Sequence, residues 1–130
     1  MSQLDAEVIE TGQSFRERAY VSEVRYDTKT LVVTVTSPTE AKATAVAFTG
    51  VVGFRVLDEG DLLDFWPACA ANHGWLFRIR KNGWLDQEIA RGGFVHDNAS
   101  GLTEYFIAGQ NECISVLAGE APELEESSNR

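Results

Sequence analysis

Tyr20–Thr36 reads Y-V-S-E-V-R-Y-D-T-K-T-L-V-V-T-V-T, and the alternation within it decides the fold class. Tyr20, Ser22, Val24 and Tyr26 fall on one side of an extended chain and Val21, Glu23 and Arg25 on the other, which is the period of a β-strand. Asp27-Thr28-Lys29-Thr30 is a turn sequence. With those four residues as the loop, Tyr26 stands opposite Leu31 and Val24 opposite Val33, so the apolar residues of both strands gather on one face. The stretch is a self-consistent antiparallel hairpin.

Downstream, Ser37-Pro38-Thr39-Glu40 has the form of a capping box with proline at the first helical position, which keeps a helix over residues 38–47 open. Lys42–Phe48 nevertheless alternates small residues with larger and β-branched ones, which favours a strand. Val51–Leu57 is a further apolar strand, ending in the turn signal Asp58-Glu59-Gly60. Asp61 then caps a short helix with Leu62, Phe65 and Trp66 at i, i+3 and i+4, stopped by Pro67. Trp75–Ile89 reads as a hairpin around Lys81-Asn82-Gly83. A three-residue loop with Gly83 left-handed pairs Ile79 with Leu85, Trp75 with Ile89, Arg78 with Asp86 and Arg80 with Trp84, separating an apolar face from an ionic one. Glu104–Ala108 and Cys113–Leu117 form a last hairpin. The expected fold is α+β and mainly β, a meandering antiparallel sheet of about seven strands, rolled or barrel-like, with one short helix.

The chain has 130 residues, 44% of them hydrophobic, and a net charge of −9. That length and apolar content describe one globular domain, large enough to bury about two-thirds of its surface without disulfides or metals. Residues 20–118 are expected to form it, with 1–19 a loosely docked N-terminal segment. Residues 119–130, where four glutamates stand against Arg130, are expected to be a disordered acidic tail. The opening residues lack the basic flank and apolar run of a secretory signal, and no apolar stretch approaches a membrane span, so the expected location is the cytoplasm. The acidity argues against nucleic acid and anionic membranes as partners.

Motifs that carry chemistry are sparse. Asp58, Glu59, Asp61 and Asp64 crowd into D-E-G-D-L-L-D, but the spacing matches no calcium loop, and a turn followed by a capped helix accounts for it. Cys69 and His73 are four residues apart without a partner motif, Cys113 reads as a small buried hydrophobe, and the two cysteines and two histidines lack zinc spacing. His96 and Asp97 are adjacent and face opposite ways on a strand, so they make no dyad. No phosphate-binding loop, nucleophile elbow or dinucleotide fingerprint is present. No catalytic residue, metal or cofactor is assigned, and the balance leans away from an enzyme. Trp84, on the ionic face beside Arg80, reads first as a cover over the open end of the sheet, and beside acidic residues the pair also has the composition of an interface hot spot.

The runs F-T-G-V-V-G-F-R-V-L-D-E-G-D-L-L-D-F-W (Phe48–Trp66), G-W-L-D-Q-E (Gly83–Glu88) and E-Y-F-I-A-G-Q-N-E-C-I-S-V-L-A (Glu104–Ala118) resemble a group of small uncharacterised bacterial proteins, some of them similar to the immunity proteins of polymorphic toxin systems. The resemblance covers roughly Phe48–Ala118 and implies a non-catalytic module that binds a protein partner. A basic partner suits the acidic balance, since opposite charge raises the encounter rate. The expected partner surface is Asp58, Glu59, Asp61 and Asp64, with Arg80 and Trp84 at its rim. The alternatives are a small-ligand-binding or enzymatic β-barrel with an aromatic-lined mouth and His96, and a structural subunit of a larger assembly.

Overall fold

A computed structural model describes residues 3–11, 19–37, 42–69, 74–94 and 101–127. Its strands are β1 (Asp5–Val8), β2 (Tyr20–Tyr26), β3 (Thr30–Thr36), β4 (Ala43–Thr49), β5 (Val51–Asp58), β6 (Leu76–Lys81), β7 (Thr103–Ile107), β8 (Glu112–Ala118) and β9 (Glu123–Ser127). Two short helices, α1 (Trp66–Cys69) and α2 (Trp84–Ala90), and a 3-10 turn at Glu59–Asp61 complete the described elements. All pairings are antiparallel. They build a five-stranded sheet in the order β1-β6-β7-β8-β5 and a four-stranded sheet in the order β2-β3-β4-β9.

The mainly β, antiparallel class is as expected, but the sheet count and shape are not. Nine strands are described rather than about seven, and they form two open sheets packed face to face instead of one rolled sheet or barrel. The shared core joins Leu31, Val33, Val35, Val46 and Phe48 of the smaller sheet to Leu76, Tyr105, Ile107, Ile114 and Val116 of the larger. The two helices do not enter this core. With the 3-10 turn they lie over the opposite face of the five-stranded sheet, where Leu62, Phe65 and Cys69 cover Phe77, Ile79, Phe106 and Cys113.

The founding hairpin has the expected register, Tyr26 opposite Leu31 and Val24 opposite Val33. Asp27 closes it: one carboxylate oxygen accepts the N–H groups of Lys29 at 2.9 Å and Thr30 at 2.8 Å, which holds that carboxyl below the usual range. The strict alternation fails at one point. A bulge between Val21 and Glu23 turns Val21 and Val24 both toward the core, because an extra residue reverses the side-chain facing.

Three further readings are corrected. Trp84–Ala90 is helix α2, not the second strand of a hairpin. Asn82, not Gly83, takes the left-handed conformation, at φ 66°, and Gly83 is extended at φ −101°. The Asp86 carboxylate then accepts the Asn82 N–H at 2.7 Å, and W-L-D-Q-E-I-A has helix formers and a single β-branched residue. Ile79 accordingly faces Ala6 on one side and Glu104 on the other, not Leu85. The second correction concerns Asp58 to Pro67. Asp58 rather than Asp61 is the capping residue, and Pro67 lies inside α1 rather than ending it. Its missing N–H costs nothing in a first turn.

The third correction is at the chain ends. The segment 1–19 carries β1, whose Asp5 and Glu7 pair with Arg80 and Arg78 at 2.9 and 3.1 Å, while Ala6 packs inward. The tail 119–130 carries β9, which lies along β4 and seats Leu124 against the sandwich core. Both strands occupy sheet edges, where backbone hydrogen bonds are on offer to any extended segment with an inward apolar residue. The reading of Lys42–Phe48 as strand is matched by β4, and residues 38–41 lie outside the described set.

Candidate functional site

The acidic run forms a built loop at one end of the larger sheet. Asp58 closes β5 directly opposite Glu112, the first residue of β8. Its carboxylate accepts the Gly60 N–H at 2.8 Å and so shapes the 3-10 turn. The loop is clamped from both sides: the Glu59 N–H donates to Asn111 O at 2.9 Å, and the Trp66 indole N–H donates to Glu59 O at 3.0 Å. Leu62 and Phe65 plug inward while Leu63, between them, is 76% exposed. Asp58, Asp61 and Asp64 are all exposed. Among the described residues no group of three His, Cys, Asp or Glu is disposed to hold a metal ion.

The proposed rim does not assemble. Arg80 is committed to β1, donating to Asp5 at 2.9 Å and lying 3.7 Å from Glu7. Trp84 rides on α2 instead, with its indole N–H on Glu88 at 3.0 Å, and the cation over its ring is Arg55, 4.7 Å from the centroid. Arg55, on edge strand β5, is partly buried; desolvation lowers its pKa, and the nearby Glu104, Asp64 and Glu88 carboxylates act against that. Thus Asp64 and Trp84, both named from sequence, meet at a residue that was not. A lone charge inside V-V-G-F-R-V-L was the available signal.

Two further polar residues were missed. Glu104, on β7, is 1% exposed and Ser115, on β8, 0%. One Glu104 oxygen accepts the Leu85 N–H at 2.8 Å, so a strand carboxylate caps the start of α2 from across the layer. Gly83 makes room for it: a Cβ there would sit 2.8 and 2.9 Å from the two carboxylate oxygens and 2.6 Å from Ile79 Cγ2. Burial pushes the Glu104 carboxyl above its usual range, against the pull of the α2 N–H groups and Arg55, with Asp86 pushing the same way as burial.

Glu104 Oε2, Ser115 Oγ and Arg55 Nε are buried with no hydrogen-bond partner. Such an atom costs about 1–3 kcal/mol, so three on one sheet weigh heavily against a typical stability of roughly 5–15 kcal/mol. The hydroxyls of Thr36 and Thr44 are also without partners, but they belong to the other sheet, at the β3–β4 end beside residues 38–41.

Cys69, the last residue of α1, and Cys113, on β8, are both buried in the layer between that helix and the larger sheet. Burial, then Glu104 and Cys113, push the Cys69 thiol up to about 12, so no thiolate nucleophile exists there near neutral pH. Cys69 should therefore resist alkylation at pH 8 until the protein is unfolded; rapid labelling of the native protein would contradict its burial. His73, His96 and Asp97 lie outside the described residues. A hollow of about 430 Å³ between α1 and β1 is lined by Leu4, Ala6, Val8, Ala68 and Phe77, with Asp5 at its margin. No helix among the described residues is long and apolar enough to cross a membrane. Comparison with protein-family models, curated proteins and solved structures finds no significant match.

Proposed function

We propose that the protein is a non-catalytic protein-binding module of the immunity type, which docks a basic partner on the acidic end of its larger sheet. The observation that carries this reading is Leu63, 76% exposed on a loop clamped at Glu59 and flanked in sequence by the exposed carboxylates of Asp61 and Asp64. A single exposed leucine is ordinary. One presented on a clamped loop between two exposed carboxylates is not, because the loop loses little entropy on binding and the charges select the partner.

The charge arrangement supports the same reading. Asp58 and Glu112 face each other across paired strands, where like charges destabilise a sheet, and a basic partner removes that repulsion. Val56, 49% exposed on β5, stands two residues before Asp58 on the same side of that strand.

The test is capture from the native host on immobilised protein, comparing wild type with Asp61→Lys/Asp64→Lys and with Leu63→Ala. Wild type should retain a basic protein whose activity it suppresses, with association slowing as salt rises. The double reversal should slow association at least tenfold, and Leu63→Ala should speed dissociation. Unchanged capture by the double reversal would sink the proposal.

A further inference from the structure

The edges of the two sheets are not equally guarded. An open edge displays backbone N–H and C=O groups to any extended segment, and folded chains blunt it with short strands, bulges or charge. β1 is only four residues long, and its Asp5 and Glu7 are held in ion pairs. β2 is bulged between Val21 and Glu23, and β9 exposes Glu123, Glu125 and Glu126. β5 differs. Its bulge lies at the start, between Val51 and Gly53, and Phe54–Asp58 then runs in unbroken register along β8. Its inner charge, Arg55, is stacked on the Trp84 ring on the helix face, while Val52 and Val56 are 43% and 49% exposed.

The ladder determines which backbone groups β5 offers. Glu59, one step past Asp58 in the same register, donates its N–H to Asn111 O. Bonded and unbonded pairs alternate along an antiparallel ladder, so Arg55 and Leu57 are bonded to β8, whereas Phe54, Val56 and Asp58 turn their N–H and C=O groups outward. Among the described residues no hydrogen bond uses those outward groups. The side chains of Phe54, Val56 and Asp58 share one face, that of the sandwich core, where the Phe54 ring meets the exposed Tyr26 ring at 5.2 Å between centroids. This face is apolar at Phe54 and Val56 and acidic at Asp58, which stands opposite Glu112.

We propose that β5 accepts an extended segment of the basic partner as a sixth strand, antiparallel to it, with a lysine or arginine opposite Asp58 and β-branched apolar residues opposite Val56 and Phe54. This rests on the protein-binding reading for the existence of a partner and specifies how that partner docks. The cation offsets the repulsion between Asp58 and Glu112, and the apolar residues cover Val56 and Phe54. A second copy of the chain fits poorly. Pairing β5 with itself sets arginine against arginine about Arg55, aspartate against phenylalanine about Val56, or the regular run against the bulge about Phe54, with a net charge of −9 on each chain.

The probe is the peptide acetyl-Thr-Lys-Thr-Val-Thr-Val-Thr-amide, titrated into the full ¹⁵N-labelled chain. The amide signals of Phe54, Val56 and Asp58 should shift saturably, and their hydrogen exchange should slow. N-methylating both valines removes N–H groups that face β5 and should weaken binding roughly tenfold or more; N-methylating the two threonines that precede the valines, whose N–H groups face away, should change it less than about twofold. Val56→Pro withdraws one outward N–H without touching the β8 ladder and should also weaken the peptide. Equal binding of the two methylated peptides would overturn the proposal. So would amide protection that rises with protein concentration when no peptide is present, because a second copy would then hold the edge. Asp61→Lys/Asp64→Lys, which tests the acidic end, leaves Phe54–Asp58 unaltered, so partner capture and peptide entry fail separately.

Discussion

The two faces of the five-stranded sheet are built to different rules. Toward the smaller sheet, the face presents Leu76, Tyr105, Ile107, Ile114 and Val116, closed by contacts such as Phe48 on Tyr105 at 5.6 Å. Toward the helices, it mixes Phe77, Ile79 and Phe106 with Glu104, Ser115, Cys113 and, at the edge, Arg55. Because side chains alternate along each strand, these faces use the same residues' neighbours: Ile114 and Ser115 are adjacent and point opposite ways. The difference teaches where stability and recognition reside. A face built of aliphatic and aromatic side chains is bound mainly by packing, whereas a face that tolerates unpartnered polar atoms gives up stability that packing elsewhere must supply.

The strongest attempt to break this contrast is Ile114→Ala. It deletes a side chain with 0% exposure from the sandwich core and should cost about 2–5 kcal/mol, read as a lowered urea midpoint at unchanged slope. A cost below about 1 kcal/mol would mean that the sandwich face is not the stabilising one. Next in size is Gly83→Ala on the helix side. Its methyl would press on Glu104 and Ile79, an overpacking cost of about 1–3 kcal/mol. Combining it with Glu104→Ala should recover part of the loss in a double-mutant cycle. Strict additivity would show that the close approach of Gly83 to Glu104 does not limit the helix layer.

The same contrast explains what was legible in the sequence. Hairpins declare themselves locally, so Asp27 and the alternation on either side sufficed for β2–β3, and Gly109–Glu112 sufficed for β7–β8. Trp84–Ala90 failed for a geometric reason: Leu85 and Ile89, four apart, share a face in a strand and in a helix alike. In seven residues the two periods are hard to separate, and the decisive partner, Glu104, lies nineteen positions away. The edge strands β1 and β9 each bury little more than Ala6 or Leu124, too little to register as a pattern. Of the site residues, Asp64 and Trp84 stood out by composition. Arg55 and Ser115 become neighbours only through the β5–β8 pairing, which spans about half the chain and leaves no local trace.

A smaller effect, confined to the helix side, should appear as a pH dependence. Glu104 has its carboxyl pushed above 4.5 by burial, so the folded state holds that proton more tightly than the unfolded chain. Its contribution is therefore fully present below about 4.5 and is lost as pH rises through the folded value. Glu104→Gln keeps an acceptor for the Leu85 N–H and cannot ionise. The stability of wild type relative to Glu104→Gln should fall as pH increases from 4.5 toward 7.5, by no more than about 1.4 kcal/mol per pH unit. Urea melts across that range supply the measurement, and a constant or rising difference would refute the assignment of the shift to Glu104.

The smallest expected change is the sharpest comparison, because it is one residue from the largest. Ser115→Ala removes a hydroxyl that is fully buried and has no partner, and it leaves a methyl-sized side chain against Cys113 and Leu117 on the same face. Deleting an unsatisfied polar atom relieves its desolvation penalty, so stability should stay level or rise by up to about 1 kcal/mol. Ile114→Ala, on the adjacent residue, should fall by several times that amount. The opposite signs follow from facing alone, since both positions are equally inaccessible. If Ser115→Ala instead destabilises the protein by about 1 kcal/mol or more, its hydroxyl has a partner in solution, a bound water or the Arg55 guanidinium. The orphan cluster then ceases to distinguish the helix face from the sandwich face.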